Sequence, residues 1–161
     1  MCRDMNLFVD DDGKACHIYS SEHNSTIHIA ELTDDYLDWS GRYARVFPFA
    51  WNEGLALFKR NGFYFLLMSG CTSWTPNAAR SAVARNIFGP WTMLGNPCRG
   101  EGAEITFGAQ SSAVFQAGGR HIAMLDLWNP ENFIDSRYLW LELEFPEEDR
   151  FRMRRHRPAL Q

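Results

Sequence analysis

No stretch of this 161-residue sequence approaches the roughly 18 consecutive apolar residues that a membrane-crossing helix needs. Its opening, Met1 to Met5, lacks the apolar core of a secretory signal, and localisation is left unassigned. Positive charge is in short supply: 16 Lys and Arg face 20 Asp and Glu, a net charge of −4, which argues against a nucleic-acid-binding surface. The one basic cluster, Arg150, Arg152, Arg154, Arg155 and Arg157, reads as a solvated strand or a frayed tail. Cysteine is sparse and unpatterned. Cys2, Cys16, Cys71 and Cys98 make no C-x-x-C pair and no ligand spacing with His, so they read as buried free thiols rather than a disulfide framework or a metal site. The five His show no ligand pairing either and read as non-catalytic. Helical periodicity is equally scarce.

What the chain has in quantity is aromatic side chains: 12 Phe, 6 Trp and 5 Tyr. Aromatics favour strands and also supply flat surfaces for ligand stacking. They fall into a recurring pattern. Leu7 to Tyr19 reads as strand, Asp12-Gly13 turn, strand; Leu57 to Met68 repeats it around Asn61-Gly62, and Ala113 to Met124 around Gly118-Gly119. Each such turn is expected to be of type I′, with positive φ at both central positions. A further β-like run follows each hairpin, at 26–32, 79–84 and 138–143; the segment 77–85, helical by composition alone, is read as a third strand.

The turn glycines at 13, 62 and 119 lie 49 and then 57 residues apart. A repeat of about 50 residues carrying three or four short strands is the mark of a β-propeller blade, with a generic β-sandwich as the alternative. Three repeats fit in one domain over residues 1–161. Propellers close with about four to eight blades, so the chain is expected to be a partial propeller, its missing blades supplied from an upstream segment or another chain. Three sheets of four strands or fewer are expected.

With the hairpins placed, several segments resemble glycoside hydrolase family 43. Arg3-Asp-Met-Asn-Leu-Phe-Val-Asp-Asp-Asp-Gly-Lys-Ala15 resembles its Asp-initiated, Asp-Gly-turned strand pair. Glu53-Gly-Leu-Ala-Leu-Phe-Lys-Arg-Asn-Gly-Phe-Tyr-Phe65 is similar to its Glu-Ala-Pro-x-hydrophobic-Phe-Lys-x-Asn-Gly-x-Tyr-Tyr motif, and Phe88-Gly-Pro-Trp91 to the Gly-Pro-Trp that follows. Phe107-Gly-Ala-Gln-Ser-Ser112 and Trp128-Asn-Pro-Glu-Asn132 resemble the branch containing galactan 1,3-β-galactosidases.

The resemblance implies an all-β fold of about three blades of a five-bladed propeller, part of an inverting glycosidase with its site at the axis. It implies that Glu53 is the general acid and Asp4 the carboxylate that modulates its pKa. The usual base lies upstream of anything present; Gln110 is either its substitute or a hydrogen-bonding residue. Gly54-Leu55 stands where the family has Ala-Pro, which removes a rigid φ beside the acid. The implied substrate is an oligo- or polysaccharide, a β-1,3-galactan first and xylan or arabinan side chains second. No cofactor is implied for the chain itself, although a structural calcium has room on the axis of a complete propeller.

Trp51, Trp74 and Trp128 are candidates for sugar stacking, with core packing as the alternative. Arg80 and Arg137 are candidates for binding sugar hydroxyls, with salt bridging as theirs. Asp10, Asp11 and Asp12 read as a turn rather than a calcium loop. Asn24-Ser25-Thr26 is a glycosylation sequon of the kind that arises by chance. The rival to an enzyme is a non-catalytic carbohydrate-binding or interaction module made of an incomplete propeller. A tryptophan-aspartate or kelch scaffold is remote, since neither repeat signature appears.

Overall fold

The computed structural model describes residues 1–155, and Arg157 of the basic cluster lies outside them. The first sheet joins β1 (Met5–Val9), β2 (Ala15–Ser21), β3 (Thr26–Leu32) and β4 (Trp39–Val46) in chain order. The second joins β5 (Asn52–Arg60), β6 (Phe63–Gly70), β7 (Arg80–Ala84) and β8 (Thr92–Gly95), again in chain order. Next comes the short β9 (Cys98–Arg99), then β10 (Gln110–Ala117), β11 (Arg120–Leu127), β12 (Arg137–Glu147) and β13 (Arg150–Arg154). These five form the third sheet in the order β10-β11-β12-β13-β9. The three sheets are blades of a partial β-propeller.

The third blade departs from the expected four strands. As the chain leaves the second sheet it runs beside β13, and β9 adds there in parallel, with Cys98 opposite Met153. The Met153 N–H donates to the Pro97 carbonyl oxygen at 3.1 Å, extending the pairing by one residue.

Two of the three turns are of the expected kind. Asn61 and Gly62 both have positive φ, 51° and 74°, as do Gly118 and Gly119, 56° and 76°. The first turn differs, because of the Asp12-Gly13 pair only Gly13 has positive φ (82°). Asp10 pairs with Lys14 across a longer loop, and the Gly13 N–H donates to the Asp10 carbonyl oxygen at 2.9 Å. A type I turn closed by one left-handed glycine replaces the two-residue turn.

β6 explains why the middle blade is the most apolar stretch. All eight of its residues are buried, because the other two sheets pack on its two faces. Phe63, Phe65 and Leu67 enter the core shared with the third sheet, beside Phe58, Leu125, Phe151 and Met153. Tyr64, Leu66 and Met68 enter the core shared with the first sheet, beside Ile18, Ile27 and Ile29. In β13, Phe151 and Met153 are buried while Arg150, Arg152 and Arg154 are exposed, so most of the basic cluster is the solvated face of a strand that lies between β12 and β9. Of the four free cysteines only Cys16 and Cys98 are buried; Cys71 is half-buried and Cys2 exposed, which corrects the expectation of four buried thiols.

The first strands of the three blades, β1, β5 and β10, lie side by side. The Asn6 side chain joins them, its Nδ2 donating to the Leu55 carbonyl at 3.1 Å and to the Ser112 carbonyl at 3.0 Å. At the turn end of these strands, the Asp10 carboxylate accepts from the Lys59 ammonium and the Tyr64 hydroxyl, and Lys59 also pairs with Asp11 at 2.8 Å. Burial of Asp10 opposes its ionisation. Hydrogen bonds from Lys59, Tyr64 and the Asp11 backbone N–H outweigh that and hold the carboxyl below its usual value. A carboxyl depressed in this way adds stability that is complete above its unfolded pKa, about 3.9, and is lost as pH falls through the lower folded value. Thermal midpoints should therefore drop below about pH 4 more steeply in the wild-type chain than in Asp10→Asn. Parallel curves would show that this lock carries no pH-dependent stability.

Candidate active site

Three polar residues open the innermost strands at the end opposite the Asp10 lock: Asp4 before β1, Glu53 in β5 and Gln110 in β10. Bulges put them where they are. In β5 the pairing goes from Glu53 opposite Ser69 to Ala56 opposite Leu67, so one extra residue is accommodated between them. Leu67 faces the third sheet, and Ser69 two residues on faces the same way, so its partner Glu53 points toward the third sheet as well. Were the same residues paired without a bulge, Glu53 would fall in phase with Leu55 and Leu57, which enter the core shared with the first sheet. β10 has a second bulge, between Ser111 and Ala113. Bulges of this kind concentrate beside functional sites.

Gly54 lies at the β5 bulge with φ +61°, and it is gripped from both neighbouring blades. Its N–H donates to Asp4 Oδ2 at 2.9 Å, and its carbonyl accepts from the Ser111 hydroxyl. The loss of the family's Ala-Pro is thus offset by two hydrogen bonds that fix the residue after Glu53.

Glu53 is half-buried. Gln110 Nε2 donates to its Oε1 at 3.3 Å and Asn24 Nδ2 to its Oε2 at 3.3 Å. Gln110 Nε2 also donates to Ser69 Oγ at 3.0 Å, while Trp128 Nε1 donates to Gln110 Oε1 at 3.2 Å. Burial pushes the Glu53 carboxyl up, and the nearby negative charge of Asp4 pushes it further. The Cys71 thiol and the Gln110 amide pull the other way without reversing the result. Glu53 is an acid held in the protonated form to higher pH than an ordinary glutamate, which suits a proton donor.

A recess of about 240 Å³ lies against Asp4, Gly54, Gln110, Asp126 and Trp128. A tighter cleft of about 70 Å³ adjoins it, between Ser69, Trp74, Asn77, Gln110 and Trp128. Asp126 pairs with Gln110 across β10 and β11, and burial raises its carboxyl despite a hydrogen bond with Ser112.

The other sequence-derived residues are placed unevenly. Trp74 and Trp128 meet edge to face, 5.8 Å apart, at the mouth of the cleft. Trp51 is half exposed and lines neither opening. Arg80 Nη1 donates to the Ala50 and Trp51 carbonyls at 2.7 and 3.1 Å and to Asn52 Oδ1 at 2.8 Å, bracing the segment that precedes Glu53. Arg137 stands apart, donating to the Ile134 and Ser136 carbonyls of its own loop. The sequon residue Asn24 is buried with its amide on Glu53, so it is a framework residue of the site. Among the described residues no group of three or more His, Cys, Asp or Glu is arranged to hold a metal ion.

Sequence reasoning missed Asn24, Ser69 and Asp126 as site residues. Asp126 carried a signal, a lone carboxylate in the apolar run Ile122 to Trp128. Ser69 and Asn24 carried none.

Comparison with known proteins places this geometry. The profile of glycosyl hydrolases family 43 matches residues 1–120, three quarters of the chain. This chain belongs to family 43. It superimposes on a family 43 β-1,3-galactosidase solved with galactodeoxynojirimycin at a TM-score of 0.94 and 49% identity, over 97% of this chain and 46% of that one. The exo-β-1,3-galactanase of Clostridium thermocellum matches at 33% identity and a TM-score of 0.87, over 95% of this chain and 34% of that one. The exo-β-1,3-galactanase of Phanerochaete chrysosporium, solved with β-1,3-galactotriose, matches at 27% identity and 0.86, over 94% and 35%. This family 43 chain thus spans between a third and a half of these solved relatives. No curated protein sequence matches it.

Proposed function

We propose that this chain supplies the general acid, its modulating carboxylate and part of the sugar site of an inverting glycosidase acting on β-1,3-linked galactans. The observation that carries this reading is the raised Glu53 carboxyl, gripped by Gln110 and Asn24 and next to the charge of Asp4. The likeness to β-1,3-galactosidases and galactanases supports galactan over xylan or arabinan side chains.

Inversion needs an acid on the leaving oxygen and a base that activates water on the opposite face of the sugar, about 6.5–9.5 Å away. Glu53 gives its proton to the glycosidic oxygen as the bond breaks. Asp4, anchored by the Gly54 N–H, keeps that proton in place until then. Gln110 holds the Glu53 carboxyl and faces the recess, where its amide hydrogen-bonds the sugar or the attacking water. Trp74 and Trp128 offer aromatic faces at the cleft. The amide of Gln110 is a poor base, and this favours a second reading in which the chain alone binds carbohydrate without turning it over.

Calorimetric titration of the purified chain separates these outcomes. Galactose and β-1,3-galactobiose should bind, xylobiose should bind more weakly or not at all, and aryl β-galactosides should show little hydrolysis. Turnover at an ordinary glycosidase rate would show that the chain holds a complete site. No binding of any galactoside would remove the galactan reading.

A further inference from the structure

Trp128 follows β11 directly and borders both the recess and the cleft. Its ring is held edge to face by Trp74 at 5.8 Å and by Phe133 at 6.4 Å, so its nitrogen is aimed rather than free to swing. An indole N–H can only donate, which means that the end of the Gln110 amide it meets must be the oxygen. The contact is Trp128 Nε1 to Gln110 Oε1, 3.2 Å. Nε2 is then left for the other side, where it donates to Glu53 Oε1 and Ser69 Oγ.

We propose that Trp128 is a positioning residue: its indole N–H fixes the orientation of the Gln110 amide, so that Gln110 presents an N–H and not a carbonyl to Glu53. The functional meaning of this rests on Glu53 being the acid; the orientation itself does not. With the amide reversed, Oε1 would face the carboxyl and favour its protonated form, since a carbonyl repels a carboxylate and accepts from a carboxylic acid. The relay from Trp128 through Gln110 thus works against burial and the Asp4 charge, alongside Arg3, the Cys71 thiol and the Asn24 amide, to keep Glu53 from becoming too weak an acid. An aromatic side chain that would otherwise be read as a sugar platform acts here through its nitrogen.

The test is a titration of the Glu53 carboxyl by carbon NMR in the 161-residue chain, which needs neither ligand nor turnover. In Trp128→Phe the ring remains and the donor goes, and the Glu53 midpoint should rise by about one pH unit, the size of weakening one hydrogen bond to a charged group. The two Gln110 side-chain amide protons should also exchange faster with water. Trp140→Phe, at an exposed tryptophan of β12 that packs on Phe115 and lines neither opening, should leave both readouts in place. A benzothiophene analogue at position 128 keeps the shape of indole without its N–H, and it decides the matter on the same readouts should Trp128→Phe fail to fold. An unchanged Glu53 titration in the folded Trp128 variants, or equal shifts on altering Trp140 and Trp128, would overturn the assignment. Failure to bind galactosides would count against the proposed function and leave this measurement intact.

Discussion

Replacing Glu53 by glutamine is expected to lower kcat by about 10²- to 10⁴-fold for galactans and alkyl β-galactosides, measured in a protein in which this chain is joined to the upstream blades that the proposed function requires. Glutamine keeps the shape of the side chain and can still accept from one of Asn24 and Gln110 through its oxygen, but its NH2 end cannot accept from the other and it has no acidic proton to give. The loss should shrink for substrates whose leaving group is already acidic, because such a group departs with little protonation. Equal losses for good and poor leaving groups would take Glu53 out of the acid role. Asp4→Asn serves as the companion variant. Burial is the larger cause of the raised Glu53 pKa and the Asp4 charge the second, so removing that charge lowers the pKa without returning it to the ordinary value. Activity that needs protonated Glu53 is present below its pKa and lost above it. The alkaline limb of the kcat profile should therefore move to lower pH in Asp4→Asn, and a limb that stays put would show that Asp4 does not modulate the acid.

The largest effect on stability is expected at a residue with no side chain. A Cβ on Gly54 would lie 2.8 Å from the Ser111 carbonyl oxygen and 2.9 Å from Gln110 Cγ. The first of these is backbone of a paired strand and cannot yield cheaply. Left-handed φ for alanine and overpacking each cost about 1–3 kcal/mol, so Gly54→Ala should destabilise the chain on the order of 3 kcal/mol. Gly13→Ala is the matched control, since Gly13 has φ +82° but nothing within 4 Å of an added Cβ. Urea unfolding should show the Gly54 variant losing clearly more stability than the Gly13 variant, at unchanged m-value. Equal losses would mean that the inter-blade contact yields and only backbone strain counts. The Gly54 variant should also bind galactosides more weakly, because the atoms it displaces belong to Gln110.

Much of the fold was legible because blade hairpins are local. Asn61-Gly62 announces a turn between runs that alternate into two cores, and Gly118-Gly119 one between runs that alternate into a single core. The strand at Arg80–Ala84 was legible from its place after a hairpin, although its composition reads as helix. β4 was not legible: most of its residues are exposed, so the alternation that marks a half-buried strand is missing. β9 is two residues long and owes its pairing wholly to where β13 lies. The site divides along the same line. Asp4, Glu53 and Gln110 stood in recognisable motifs, whereas Asn24 and Ser69 reach Glu53 only because the first sheet packs against the second and β6 returns beside β5. Arg80 could be picked out by type but not by task, because its acceptors, two backbone carbonyls and the Asn52 amide oxygen, lie some thirty residues away.

The extra residue in β5 has an effect on how the strand tolerates change. On one side of Gly54, residues 55 to 58 obey the two-residue rhythm of the blade cores; on the other, Glu53 follows a rhythm shifted by one. The strand therefore carries two registers that vary separately. Substitutions that repack Leu55, Ala56, Leu57 or Phe58 leave the direction of Glu53 untouched, and changes at Glu53 leave the cores in phase. A single-residue deletion at 54–55 would fuse the two rhythms: Glu53 would still fall opposite Ser69, but the bulge that Asp4 and Ser111 grip from either side would be gone, and with it the anchor beside the carboxyl. In this strand, length is under tighter constraint than identity.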